Sequence, residues 1–407
     1  FLFLQLMASA QDVFYLSWIG SDARDGSVRE PSVLVDELIE AAAAWHAQPS
    51  SVAKELIVRH TMQPFAPGAF GEADEPRRFS FRNQWYAAAG QLGHARQRLP
   101  VWMDGPLPAL ERPAAISLPE LRRFFTQPAQ SWLSQRLGIR LPDPPQAMED
   151  IEPLDLAGPG LERHQLQQLL LQAALSDDSQ QLYERLLARG KVPSGAFGRG
   201  QLQQLVRDVL PYAQLWQQGV DAAALHSVAC TVQIAGITLH GRVGDVLDER
   251  VARLRIGKRN AGTVVRNGLD WLLLCAAGHP RALWQLYQDP QDDLGPHLQP
   301  ALSAAAASTA LAQLVRLYLQ GLQQPLPYAP RTALAIYQAD AHARQEAAAS
   351  SWYGSDYSYA EASEDSHQLV WRGCDPLADP ERWQRFEQTS LQVMQLLTTG
   401  HAASGEQ

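Results

Sequence analysis

HGRVGDVLDERVARLRIGKRN, residues 240 to 260, alternates apolar and polar side chains on both sides of a short acidic turn at Asp248 and Glu249. A period of two with one break in it predicts two strands joined by a tight turn. On the second strand the alternation puts Arg253, Arg255 and Gly257 on one face, opposite Leu254, Ile256 and Lys258. Upstream, Cys230 to Ile237 reads as another strand. Downstream, about Thr263 to Gly278, with Trp271, Leu272 and Leu273, reads as a helix packed on the resulting sheet. The fold class expected from this stretch is α/β.

The hairpin resembles the active-site hairpin of RecB- and AddB-type nucleases, in which the first strand ends in Gly-x-Ile-Asp and the second carries Asp-Tyr-Lys. Gly241, Arg242, Val243 and Gly244 fall on the first motif, and Ile256, Gly257 and Lys258 on the second. The metal-binding acids are thus replaced by Gly244 and Ile256, and neither offers an anionic oxygen to a hard cation. Asp245 and Asp248 are possible shifted ligands, but alternation sends Asp245 to the face opposite Gly244, and Asp248 lies in the turn. Lys258 has the inward parity of the nuclease lysine; it either meets a phosphate without a metal or carries its charge out to water from a strand end.

A second motif is altered in the same sense. Residues 1 to 18, FLFLQLMASAQDVFYLSW, resemble the last motif of superfamily 1 helicases, with Ser9 where the arginine that stabilises γ-phosphate charge would stand and a strand expected over Val13 to Trp18. A hydroxyl cannot replace a guanidinium there. FLFLQLMASAQ also has the outline of a signal-peptide apolar region, but it lacks a basic leader and runs straight into the expected strand, so it is read as the interior of a longer chain. Residues 116 to 139, ISLPELRRFFTQPAQSWLSQRLGI, resemble the segment that opens the RecB and AddB nuclease domains; a helix with an apolar stripe at Leu121, Phe124 and Phe125 is expected. Gln127 precedes Pro128 where iron-sulfur members carry cysteine, so no cluster is expected.

These motifs, with SVLVDELIE at 32 to 40, RHTMQPFAPGAF at 59 to 70, LARGKVPSGAFG at 187 to 198 and WRGCDPLAD at 371 to 379, resemble in their order the C-terminal part of the RecC family, the gamma subunit of the RecBCD helicase-nuclease, exodeoxyribonuclease V. The resemblance implies the end of an inactive RecA-like helicase domain over 1–70, a connection over 71–115, and an inactive PD-(D/E)xK-type nuclease-like domain over 116–407. It implies a noncatalytic subunit that splits incoming duplex DNA, scaffolds RecB-like motor-nuclease and RecD-like helicase partners, and in its full-length form takes part in Chi recognition. It also implies a cytoplasmic location and a role in recombinational repair. ATP and magnesium are expected only in the partner subunits, with no cofactor and no metal in this chain.

Composition sets limits. With 407 residues and 46% hydrophobic content, the chain is long enough for two or three domains with proper cores. Cys230, Cys275 and Cys374 are odd in number and far apart, which suggests neither a disulfide framework nor a CxxC metal site; Cys275, in WLLLCAAG, reads as a small core residue. No apolar run suits a membrane span. No G-x-x-x-x-G-K-[ST], H-E-x-x-H or G-x-S-x-G stretch is present, and His226 and His240 read as structural histidines flanking the sheet. A net charge of −9 argues against nucleic-acid binding over the whole surface. Arg242 to Arg266 is the exception, with seven basic and three acidic side chains. Arg242, Arg250, Arg253, Arg255, Lys258 and Arg259 are the candidate DNA-binding residues, and Ser9, Gly244 and Ile256 the degenerate motif positions.

Outside the hairpin the pattern is mostly helical. Helices are expected at about Ser32 to Trp45, Leu161 to Leu175, Gln180 to Ala188, Gly200 to Gln217 and Ser303 to Leu322. A last helix is capped by Asp379, with Pro380 in its first turn, and stopped by Gly400. ASSWYGSDYSYAEASED, 349 to 365, reads as a surface loop and HAASGEQ as a disordered tail. Two further functional readings stay open: an active AddB-like metal-dependent nuclease with displaced acids, and a structural adaptor that never touches DNA.

Overall fold

The computed structural model describes residues 2–22, 24, 26–71, 75–92, 105–142, 160–176, 179–221, 224–355 and 359–401, so the expected disordered tail, apart from His401, lies outside the described residues. The chain forms two units, Phe1–Arg98 and Leu99–Gln407.

Among its described residues the first unit holds four short α-helices, α1 (Leu2–Ser9), α2 (Val33–Ala43), α3 (Pro49–Leu56) and α4 (Asn83–Gln91), and a 3-10 turn at Pro67–Ala69. The helix expected from Ser32 is α2, with Ser32 at its N-cap position. The strand expected over Val13 to Trp18 does not form; that stretch belongs to no strand or bridge, and Val13 and Tyr15 are 79% and 77% exposed. A strand needs a neighbour for its backbone groups, and among the described residues of this unit the only β pairing is the isolated bridges Ser21 to Val28 and Phe70 to Phe79.

The second unit is α/β. It begins with β1 (Ala115–Ser117), α5 (Leu118–Thr126), α6 (Pro128–Arg136), α7 (Gly160–Ser176), α8 (Ser179–Ala188) and α9 (Gly195–Gly219). Then come β2 (His226–Ile234), β3 (Ile237–Val246), β4 (Arg250–Lys258), α10 (Ala261–Ala276), β5 (Ala282–Gln288) and β6 (Leu294–Gln299). It closes with α11 (Ala304–Gln323), α12 (Pro330–Gln338), α13 (Arg344–Tyr353), α14 (Asp365–Val370) and α15 (Pro380–Thr399). The strands make one mixed six-stranded sheet in the order β1-β3-β4-β5-β6, with β2 on the free side of β3. β1 with β3 and β4 with β5 are parallel, whereas β2 with β3 and β5 with β6 are antiparallel.

Both faces of the sheet are covered, for reasons visible in the sequence. On one side the expected stripe of α5 is buried, Leu121, Phe124 and Phe125 packing with Val243 and Val251 of the sheet, Leu269 and Leu272 of α10, and Leu311 and Leu314 of α11. Ser117 caps α5 by accepting the Glu120 N–H at 3.3 Å. α5 approaches so closely that a Cβ on Gly241 would lie 2.4 Å from Leu118 Cβ, which is why β3 carries glycine there. On the other side, Leu166 and Leu170 of α7 with Leu205 and Val209 of α9 pack on Ile256, and Ala252 and Trp284 pack under the end of α9. The Gln-rich helices thus use their leucines to cover a sheet face.

Asp379 accepts the Arg382 N–H at 2.9 Å and Gly400 takes φ +73°, as expected for the ends of α15. The surface loop expected over 349 to 365 is corrected. Residues 349–353 finish α13, Trp352 is 2% exposed, and Glu361 is buried, accepting the Arg331 N–H at 2.9 Å and the Thr332 N–H at 2.7 Å. A carboxylate held against the first N–H groups of α12 from another segment gives no helical period, so pattern alone reads it as loop.

Candidate nucleic-acid interface

The hairpin forms, but it is splayed. β3 and β4 pair at Val246 and Val251, where the Leu247 N–H donates to the Arg250 carbonyl at 2.8 Å, and then diverge. The same edge of β3 is taken near its start by β1, at Thr238 to His240. Between these points, among the described residues, 241 to 245 of β3 have no ladder partner on that edge.

A β-bulge opens the fork. Val228 pairs with Val243 and His226 with Val246, so one extra residue sits in β3 between them. Asp245 absorbs it with φ +54°, a conformation Asp tolerates better than most residues. The bulge corrects the alternation expected from sequence: Gly244 and Asp245 line the same cleft instead of facing opposite ways. A second irregularity follows in β4, where Gly257 has φ +77°, its N–H donates to the Tyr212 hydroxyl at 2.9 Å, and the register with β5 shifts before Lys258. The shift is of two residues, 254 to 258 against 286 to 288, so Lys258 keeps its parity but, at the strand end, does not reach inward. It is half exposed and its ammonium bonds the Pro290 carbonyl and Asp292, both at 3.0 Å.

Arg253 bridges the fork. One guanidinium nitrogen donates to the Gly244 and Ala252 carbonyls, both at 2.9 Å, and stands 3.4 Å from the Asp245 carboxylate. The other donates to Asp270 of α10 at 2.8 Å. The second Asp270 oxygen accepts from Arg122 of α5, so a carboxylate only 3% exposed is clamped between two guanidiniums. Buried charge requires such pairing. This set does not suit a hard divalent cation: Gly244 offers only a carbonyl already bonded to Arg253, Ile256 is a core residue, and two arginines surround the one buried acid. Among the described residues, no group of three or more His, Cys, Asp or Glu side chains converges as a metal site.

The fork leads into a cleft of about 820 Å³ lined by both degenerate positions, Gly244 and Ile256, and by Arg122, Arg242, Arg253, Arg255, Arg266, Asp245 and Asp270. Five arginines against two aspartates leave a positive surplus in a chain whose net charge is −9. Arg255 is held by neutral groups, the Lys258 carbonyl at 2.6 Å and the Thr263 hydroxyl at 3.3 Å. Burial, and next the neighbouring Arg266 guanidinium, pull its pKa below the usual arginine value. Arg242 donates to the Ser227 hydroxyl at 3.0 Å.

Of the candidate DNA-binding residues, Arg242, Arg253 and Arg255 meet in the cleft. Arg250, Lys258 and Arg259 do not line it: Arg250 bonds the Gly219 carbonyl and lies 5.4 Å from the Trp284 ring centre, and Arg259 lies 5.5 Å from that of Tyr287. Ser9 belongs to the first unit, where its hydroxyl turns back to the Leu6 carbonyl at 2.7 Å. Sequence reasoning missed Arg122 and Asp270. A lone acid inside the apolar run NGLDWLLL was the available signal for Asp270.

Comparison with known proteins places this architecture. A family model described as the RecC C-terminal domain matches residues 113–341, more than half of the chain and all six strands. This chain belongs to the RecC family. It is 30% identical over 352 residues to the RecBCD enzyme subunit RecC of Escherichia coli strain K12, covering 82% of this chain and 29% of that protein. It is 26% identical to the RecC subunit of Mycolicibacterium smegmatis over 363 residues, 83% of this chain and 31% of the relative. The Haemophilus influenzae RecC subunit is 24% identical over 213 residues, 52% of this chain and 18% of that subunit. The chain thus spans less than a third of the length of these RecC relatives. No helix among the described residues is long and apolar enough to cross a membrane.

Proposed function

We propose that this chain is a noncatalytic, DNA-handling part of a RecBCD-type helicase-nuclease that opens double-strand ends for recombinational repair in the cytoplasm. In this reading residues 1–70 end an inactive RecA-like helicase domain, 71–115 connect, and 116–407 carry a PD-(D/E)xK-type nuclease frame without its metal-binding acids. RecB-like and RecD-like partners supply ATP and magnesium chemistry, this chain helps hold them together, and Chi recognition belongs to the full-length subunit. The observation that carries the reading is the Arg253 guanidinium at the fork, bonded to Gly244 and Asp270 beside a surplus of arginines. A fixed organic cation can bind a phosphate, but it cannot activate water as a metal does.

The expected outcome is that the chain binds forked DNA without cutting it, with affinity falling steeply as salt rises. Changing Arg242 and Arg255 to glutamine should weaken binding about tenfold and flatten the salt dependence. Metal-dependent cleavage abolished by Asp245→Ala or Lys258→Ala would instead establish the AddB-like enzyme. A second reading, the adaptor without DNA contact, is favoured by the apolar surface of the first unit, where Trp45 and Phe81 are 92% and 90% exposed. Unchanged forked-DNA binding in the arginine variants would turn the account toward it.

A further inference from the structure

The two edges of the sheet are built differently. β6 closes one side with six residues, and Pro296 within it has no N–H to give a further strand. β2 closes the other over nine residues, His226–Ile234, with no proline and no Lys, Arg, Asp or Glu. Thr238 of β3 sends its N–H to the Ala114 carbonyl at 3.0 Å, on the β1 side, so it has none for its β2 partner Gln233. In an antiparallel ladder such residues alternate with the hydrogen-bonded ones. Gln233, Thr231 and Ala229 therefore turn their backbone N–H and C=O groups outward, where no strand pairs with them among the described residues. Their side chains are exposed, whereas Cys230 and Ile234, which alternate with them, are buried in the core. Native proteins blunt a long edge of this kind with proline, charge or a covering element, because it is a template for another strand.

Charge indicates the kind of strand. Residues 226–244 contain no Asp or Glu, in a chain that carries 43 of them. Arg242 of β3, the ladder partner of Ala229, donates to the Ser227 hydroxyl at 3.0 Å, which lays its guanidinium over β2 toward the open edge. It has no carboxylate partner among the described residues, and a guanidinium held by a hydroxyl alone keeps donors for an anion. A second copy of this chain would bring an equally acid-free hairpin and leave Arg242 unmatched. The geometry points to β2 as the docking edge for an extended, acidic segment of a partner polypeptide. That segment adds as a further strand through main-chain hydrogen bonds to Ala229, Thr231 and Gln233 and sets a carboxylate on Arg242. The docking needs no DNA, so it stands or falls apart from the DNA-handling reading.

The test is fluorescence anisotropy of the whole chain with a labelled peptide of alternating glutamate and valine, as long as β2, and with its lysine and valine counterpart. The acidic peptide should bind about tenfold more tightly than the basic one, and Arg242→Gln should remove most of that preference. Thr231→Pro takes away an outward N–H and leaves the bonds to β3 in place, so it should weaken the acidic peptide about tenfold at an unchanged urea midpoint. Forked-DNA binding should be the same in Thr231→Pro as in the parent. Two further acidic peptides carry N-methyl groups on alternate residues, one on the glutamates and one on the valines. A strand paired to β2 loses binding with one set and keeps it with the other, which decides the matter even where Thr231→Pro does not fold. Equal affinities of the two methylated peptides, or full binding by Thr231→Pro, would reveal adsorption to a basic surface and overturn the inference. Self-association of the chain in sedimentation that Thr231→Pro abolishes, with the acidic peptide unbound, would assign the edge to a second copy and overturn it as well. Binding of neither peptide would have the same result.

Discussion

At the scale of residues, the two hairpin positions read from the sequence as degenerate, Gly244 and Ile256, would tolerate an acid differently. A Cβ on Gly244 would meet no atom within 4 Å, so nothing steric keeps an acid out. Ile256 is 7% exposed and packs in the α7–α9 core. Gly244→Asp should therefore fold normally and gain a pairing with Arg253, whereas Ile256→Asp should lose about 3 kcal/mol or more, read as a lower urea midpoint. The ion pairs divide in the same way. Asp270→Ala leaves two guanidiniums facing a buried space and should lose about 3–5 kcal/mol. Lys258→Met breaks a pair whose side chains are 52% and 69% exposed and should change stability by less than about 1 kcal/mol. Equal losses from the two variants would show that Asp270 is not the buried anchor. The sequence displayed the arginines, and Gly and Ile at 244 and 256, plainly. It could not display the clamp, because Arg122, Arg253 and Asp270 are brought together only by folding.

At the scale of elements, most helices were legible because their leucines repeat at three and four and their ends carry recognisable caps, as Asp379 and Gly400 do for α15. Strand faces were less legible, since alternation assumes an unbroken ladder. One inserted residue at Gly244 and Asp245 and a positive φ at Gly257 were enough to change which side chains line the cleft and to carry Lys258 to the β5–β6 turn. β1 is three residues long and invisible to any periodicity. These bulges make their own prediction. Gly257→Val forces a branched side chain into a left-handed conformation and should destabilise the chain by about 1–2 kcal/mol, while Asp245→Gly, at φ +54°, should be neutral or slightly stabilising by urea denaturation. A tolerated Gly257→Val would mean that β4 is regular.

At the scale of the whole molecule, the α/β class and a helix packed on the sheet followed from the hairpin and its neighbouring pattern, whereas the covering of the sheet's second face by α7 and α9 did not, and the strand expected over Val13 to Trp18 failed for want of a partner. Packing of the second unit can be read from its cysteines. Cys230 and Cys275 are 2% and 0% exposed and Cys374 is partly accessible; burial, and then the charge of Asp270, also push the Cys230 thiol up. In the native chain a maleimide should label Cys374 first, and the other two only when urea unfolds the sheet. Labelling of all three at one rate would contradict the packed core. Stability and chemistry meet in the claim that the nuclease-like frame handles DNA with guanidiniums instead of a metal. The most direct test is one tube containing the purified chain, a labelled forked duplex and magnesium, with anisotropy and cleavage followed together. The account predicts a rise in anisotropy and an intact DNA; cleavage that a chelator abolishes would contradict it.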